Sequence, residues 1–153
     1  MKSLIKEIRK KIKMANILTT ILVNKVFLTV IITWAIGQVI KVGLDWYHKK
    51  QITFKNFVEL GGFPSTHATV VSALTAAVYL DQGITTLFIV TLIMSVIVMR
   101  DAVGVRLEVE NHAKLLNKKF KSALNENVGH SLKEVIAGVV FGIIITYVLW
   151  GLI

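Results

Sequence analysis

His130 and Glu134 are four residues apart at the start of an apolar run, so a helix there puts both on one face. A carboxylate on one imidazole nitrogen fixes the tautomer and leaves the other nitrogen as a nucleophile or base. The pair also suits an ordinary polar helix start, with Glu134 favouring the helix dipole. A second histidine closes the stretch Gly61-Gly62-Phe63-Pro64-Ser65-Thr66-His67, which holds the only proline of the chain. Pro64 pre-sets the backbone, Ser65 can cap a following helix, and His67 falls in its first turn. A helix N-terminus presents free N–H groups to an anion, and a histidine there can give or take a proton. A capped helix with a hydrogen-bonded histidine is the plainer account of this stretch taken alone.

Polar and charged side chains of matching kind lie near the ends of two apolar runs. Gln38 and Lys41 are three residues apart at the end of one run, where lysine snorkels or faces a polar cavity. Asp101 and Arg106 follow another. Arginine there offers a two-pronged phosphate clamp, or an ion pair with Asp101, or a headgroup contact. Two histidines, a carboxylate partner, a lysine and an arginine are the set that phosphoryl transfer uses. One imidazole attacks phosphorus, another protonates the leaving oxygen, and cations hold the equatorial charge.

The elements that position these groups are apolar helices. The 153 residues are 54% hydrophobic with a mean hydropathy of +0.67, concentrated in long runs, as in an integral membrane protein. Four main runs read as helices: roughly 25–45, 65–80, 84–99 and 134–153, with Asp81-Gln82-Gly83 as a turn. The third run, 16 residues, makes about 24 Å of helix, short of a bilayer core, so extension into polar flanks, thinned lipid or shielding partners is required. Residues 100–133 are polar and contain a further helix, with apolar spacing at Val105, Val109, Ala113 and Leu116, then a loop. The expected fold is therefore an all-α membrane bundle of about four transmembrane helices, with a polar helix between the third and fourth. Residues 1–24 are a basic segment, either an amphipathic helix lying on anionic lipid through Leu4, Ile5, Ile8 and Ile12 or a solvated tail, and 25–153 are the membrane-embedded domain. No cleavable signal peptide of the usual form is present. With four spans, segments 46–66 and 100–133 share one face, so one site can gather their polar residues.

Cysteine is absent, which excludes disulfides, thiolate metal sites and cysteine nucleophiles. The net charge of +9 suits lipid headgroups and phosphate in a chain of this hydropathy, ahead of nucleic acid. The stretches "GGFPSTHAT", "MRDAVGVR", "LLN" and "GHSLKEVIAG" resemble the divergent branch of the type-2 phosphatidic acid phosphatase family, related to acid phosphatases and vanadium-dependent haloperoxidases. The resemblance covers roughly Gln38 to Gly142. It implies a membrane-embedded helical fold and hydrolysis of a lipid phosphate or pyrophosphate without metal or other cofactor. It also implies roles. His67 would be the general acid, and His130 the nucleophile that forms a phosphohistidine, oriented by Glu134 where the parent family has aspartate. Ser65 and Thr66 would hold phosphate oxygens, and Lys41 would match the lysine of the first motif. That motif's later arginine is replaced by His48, followed by Lys49, and the third motif's arginine by Leu124. Chemistry alone offers Arg106 as a substitute cation, with Gln38, Asp101 and Gly129 in support.

Three other readings use the same residues. A non-catalytic lipid-phosphate binder or transporter keeps the pocket and explains the missing arginines. A metal-assisted hydrolase would draw on His67, His130, His112 and Glu108. A structural membrane protein would use Gly138-x3-Gly142 for close helix packing, within the chain or in a homo-oligomer. The expected location is the cytoplasmic membrane of a prokaryote. The positive-inside rule puts the site face at the cytoplasm, while the basic N-terminal tail pulls the opposite way.

Overall fold

The computed structural model describes residues 7, 13–14, 16–49, 62–126 and 128–153, except the side chains of residues 45, 48 and 49. Most of the expected amphipathic N-terminal helix, including Leu4, Ile5, Ile8 and Ile12, lies outside the described residues. Residues 16–22 are helical. Five further helices follow, and the described residues contain no strand: α1 (Lys25–Lys49), α2 (Thr66–Gln82), α3 (Thr86–Val103), α4 (Val105–Phe120) and α5 (Leu132–Leu152).

The four apolar runs are all helices, with small changes at their ends. Asp81 and Gln82 belong to α2 rather than to a turn, and Gly83 stops the helix with φ of 70°. The third run is longer than expected. α3 takes up Arg100 and Asp101, then Gly104 interrupts it before α4. Length and composition allow Lys25–Leu44, Thr86–Phe120 and Leu132–Leu152 to cross a membrane. At 17 residues α2 is about 26 Å long, below the ~30 Å of a hydrocarbon core. It packs against α1, α3 and α5, so helices of the same chain shield it from lipid.

Sequence explains this arrangement through residue size. The buried positions of α2 are Ala68, Thr69, Ser72, Ala73, Thr75, Ala77 and Val78, nearly all small. Large aliphatics point outward instead, among them Ile93, Val96 and Ile97 on α3 and Ile136, Val140 and Ile144 on α5. That inversion fits a lipid solvent, where leucine gains nothing by leaving the tails and small residues let backbones approach. Gly138 and Gly142 are the extreme case. A Cβ at Gly138 would lie 2.5 Å from the Ser65 carbonyl oxygen, and one at Gly142 would lie 2.2 Å from Ser72 Oγ and 2.4 Å from the Thr69 carbonyl oxygen. The glycine pair is thus used inside the bundle, between α5 and α2. Buried hydroxyls add polar ties between α2 and α3. Ser95 Oγ donates to the Val71 carbonyl at 3.0 Å and lies 2.8 Å from Thr75 Oγ1. At the opposite end from the candidate site, the Lys25 ammonium sits 4.5 Å from the Trp150 ring, joining the start of α1 to the end of α5.

Gly142→Ala is expected to destabilise the protein by about 1–3 kcal/mol, because its new methyl meets backbone of α2. Gly151→Ala, on the same helix with open space around it, is expected to stay within about 1 kcal/mol of wild type. Thermal unfolding of the two variants in one detergent checks the contrast.

Candidate functional site

The site end of the bundle is assembled by three backbone joints. The Ser65 N–H donates to the Glu134 carbonyl at 3.1 Å, which ties the Pro-Ser-Thr-His turn to the first turn of α5. The His130 N–H donates to the Ala102 carbonyl at 3.1 Å, which ties the start of α5 to the end of α3. The third joint is at Gly129. A Cβ there would fall 2.5 Å from Leu107 Cα and 2.9 Å from the Arg106 carbonyl carbon, so only glycine lets the chain pass this close to α4.

Each histidine is set by its helix start. Ser65 has extended backbone and caps α2, its Oγ accepting from the Ala68 N–H at 3.4 Å, and it is fully buried. His67 follows in the first turn. Ser131 caps α5 through a capping box: its Oγ accepts from the Glu134 N–H, and Glu134 Oε2 accepts from the Ser131 N–H at 2.8 Å. The same Glu134 oxygen lies 3.4 Å from His130 Nδ1. Glu134 therefore closes the helix start and faces the histidine at once. The His67 and His130 rings have centroids 6.1 Å apart at 64°, and His130 is 1% exposed. Two imidazoles from different helices can thus address one small group between them.

Lys41 is 3% exposed, near the end of α1. Gly62, at φ of 109°, lets it approach: a Cβ at Gly62 would lie 3.1 Å from Lys41 Cε and 3.8 Å from Nζ. The lysine thus reaches the turn that leads to Ser65. Gln38, one turn earlier, buries its Oε1 without a hydrogen-bond partner among the described residues, as does His67 Nδ1. Thr66, the first residue of α2, is half-buried.

Arg106 and Asp101 are engaged with each other. Arg106 Nε donates to Asp101 Oδ2 at 2.5 Å across the α3–α4 break, with both side chains more than a third exposed. Arg106 touches the site with its backbone, against Gly129, and its guanidinium lies near enough for its charge to act on His67, while Asp101 takes only its Nε–H. Leu124 is tied elsewhere: its N–H and carbonyl bond to the Asn117 side chain at 3.0 and 2.9 Å. Glu108 and His112 are exposed on α4, and no three His, Asp or Glu side chains among the described residues gather as metal ligands would. His48 and Lys49 lie outside the described side chains.

Sequence reasoning passed over the residues that hold the His130 loop. Glu110 Oε2 accepts from the Val128 and Gly129 N–H groups at 3.2 and 3.0 Å, and Glu110 Oε1 pairs with Lys114 at 2.5 Å. Asn117 binds Leu124 as above and donates to Glu126 at 2.6 Å. The i, i+4 spacing of Glu110 and Lys114 was a legible signal, as was Ser131-x-x-Glu134 for the capping box. The loop partners of Glu110 and Asn117 were not legible, since they are backbone groups and, for Asn117, also the Glu126 side chain nine residues on.

Comparison with known proteins gives the family. The model of the divergent PAP2 family matches residues 22–145. The chain belongs to that family. It is also 32% identical to the uncharacterized membrane protein YuiD of Bacillus subtilis (strain 168), across 74% of this chain and 85% of that one. No solved structure matches significantly. Family and relative agree with the apolar helices: this is an integral membrane protein of a phosphatase-related family.

The Lys114 ammonium and the two loop amides all bond the Glu110 carboxylate, so a neutral amide there loses the ion pair and weakens both amide bonds. Glu110→Gln is therefore expected to lower the melting temperature at pH 7, as read by melting curves of both proteins in one detergent.

Proposed function

We propose that the protein is a membrane-embedded phosphatase that hydrolyses a lipid phosphate or pyrophosphate through a phosphohistidine, without a metal cofactor. One observation carries the reading. The two histidines with the spacing of the family motifs have rings 6.1 Å apart, each at the start of its own helix, and the two starts are hydrogen-bonded to each other.

His130 Nε2 attacks phosphorus while Nδ1 is oriented by Glu134. The P–O bond to the leaving alcohol breaks as His67 gives that oxygen a proton. Water then enters, His67 takes its proton back, and the new oxygen displaces His130 to release phosphate. Ser65 and the Thr66 N–H hold phosphate oxygens at the start of α2. Lys41 supplies the buried positive charge, and near-complete burial of His130 keeps bulk water from the nucleophile. The lipid tails extend into the surrounding bilayer. The expected setting is the cytoplasmic membrane of a prokaryote, with the site at the cytoplasmic face that its Lys- and Arg-rich segments favour.

A non-catalytic lipid-phosphate binder is the second reading. It is favoured by Leu124, at the family's arginine position, lying bound to Asn117.

Purified protein in detergent is expected to release phosphate from at least one member of a lipid phosphate panel with chelator present, and vanadate should inhibit it. His130→Ala should lower the rate by about 10³-fold or more, and His67→Ala by about 10²–10⁴-fold. Lipid-phosphate binding with no release from any substrate would select the second reading. Loss to chelator with recovery on a divalent ion would replace the mechanism by a metal-assisted one.

A further inference from the structure

Beyond the two histidines and their immediate partners, one side chain governs where His130 lies. After α4 ends at Phe120, the chain turns at Lys121, in left-handed backbone with φ of 52°, and runs back along the helix it has just left. The return is tied in order. Leu124 binds Asn117, Val128 and Gly129 bind Glu110, Gly129 lies against Leu107, and His130 binds the Ala102 carbonyl. Glu110 is the tie next to the histidine. One carboxylate oxygen takes both amide protons, and the other faces Lys114. The His130 backbone follows directly on this clamp.

We propose that Glu110 is a positioning residue for His130. Its carboxylate fixes the Val128–Gly129 peptide and so sets the reach of the imidazole toward phosphorus. This rests on the phosphatase reading for its kinetic consequence, but the placement of His130 by Glu110 stands apart from it. Three features make the clamp specific. Hydrogen bonds from amides to a carboxylate are about twice as strong as neutral ones. The Glu110 side chain is only 14% exposed, so water competes poorly for the same amides. Gly129 has no room to shift toward α4, because the Leu107 backbone is already in contact. Freed from Glu110, the loop can move only outward, and the ring with it. A displacement of about 1 Å at a reacting group costs on the order of 10²-fold in rate.

The test compares Glu110→Ala, Glu110→Gln and Asn117→Ala with wild type in detergent. Asn117 ties the far part of the same return, so its loss weakens the loop without releasing the residues beside His130. Glu110→Ala is expected to lower kcat at least 30-fold with KM within twofold. Glu110→Gln, which keeps one acceptor oxygen, should recover at least part of that loss. Asn117→Ala should keep kcat within twofold even where its melting temperature falls as far as that of Glu110→Ala. Unchanged kcat in Glu110→Ala, or equal kcat losses in Glu110→Ala and Asn117→Ala, overturns the proposal. Wild type inactive on every substrate defeats the phosphatase reading alone. Positioning is then read from hydrogen exchange of the Val128 and Gly129 amides and from the ¹⁵N shifts of the His130 ring. Exchange at least tenfold faster with a moved ring signal in Glu110→Ala, and neither in Asn117→Ala, supports it. Unchanged exchange and ring shifts overturn it.

Discussion

Contact between the backbones of α2 and α5 sets the geometry on which the candidate site depends. Gly138 and Gly142 present no side chain to α2, and the Ser65 and Thr69 carbonyls occupy the space that a Cβ would need. With the helices this close, the Ser65 N–H reaches the Glu134 carbonyl. The two helix starts then become one surface, with a histidine from each. In lipid such closeness cannot come from squeezing out water, so it rests on contact area and buried hydrogen bonds. The buried serines and threonines of α2 and α3 bond chiefly within their own helices and occasionally across, which satisfies their hydroxyls without bulk.

Charge is arranged around that surface in two ways. Lys41 is carried in on α1 and buried against Gly62. Arg106 stands beyond the α3 break with Asp101 on its Nε. A buried ammonium close to a turn that starts a helix adds to the field of the helix N-terminus, so an anion is favoured there by both. The half-exposed Arg106–Asp101 pair is worth little to stability.

Much of this was readable from residue order. Long apolar runs gave four of the helices, and the polar stretch after Arg100 gave the fifth, because a 16-residue pattern with good helix formers has few alternatives. The spacing of His130 and Glu134, and the cap at Ser65, were local patterns and so were legible. Gly138-x3-Gly142 marked close packing without saying against what, and the answer was α2 of the same chain. The stripe Val105, Val109 and Leu116 marked a helix but not its inner face. Only Ala113 of that series is buried, because the returning loop covers the side of α4 that carries Leu107, Glu110 and Asn117. Contacts between a side chain and a distant backbone group leave no periodic trace, so Glu110 and Asn117 carried no signal of the loop amides and carbonyl they hold.

The return of the chain along α4 also separates two kinds of freedom. Asn117 grips Leu124 on both its N–H and its carbonyl, which closes off the tip around Lys121 from everything that follows. Residues between Phe120 and Leu124 form a short exposed cap beyond that grip. Insertions or deletions in the cap are absorbed there, as slack in a rope is absorbed above a cleat. Descendants of this chain can therefore vary in length at the tip while the register of the histidine against α3 stays the same.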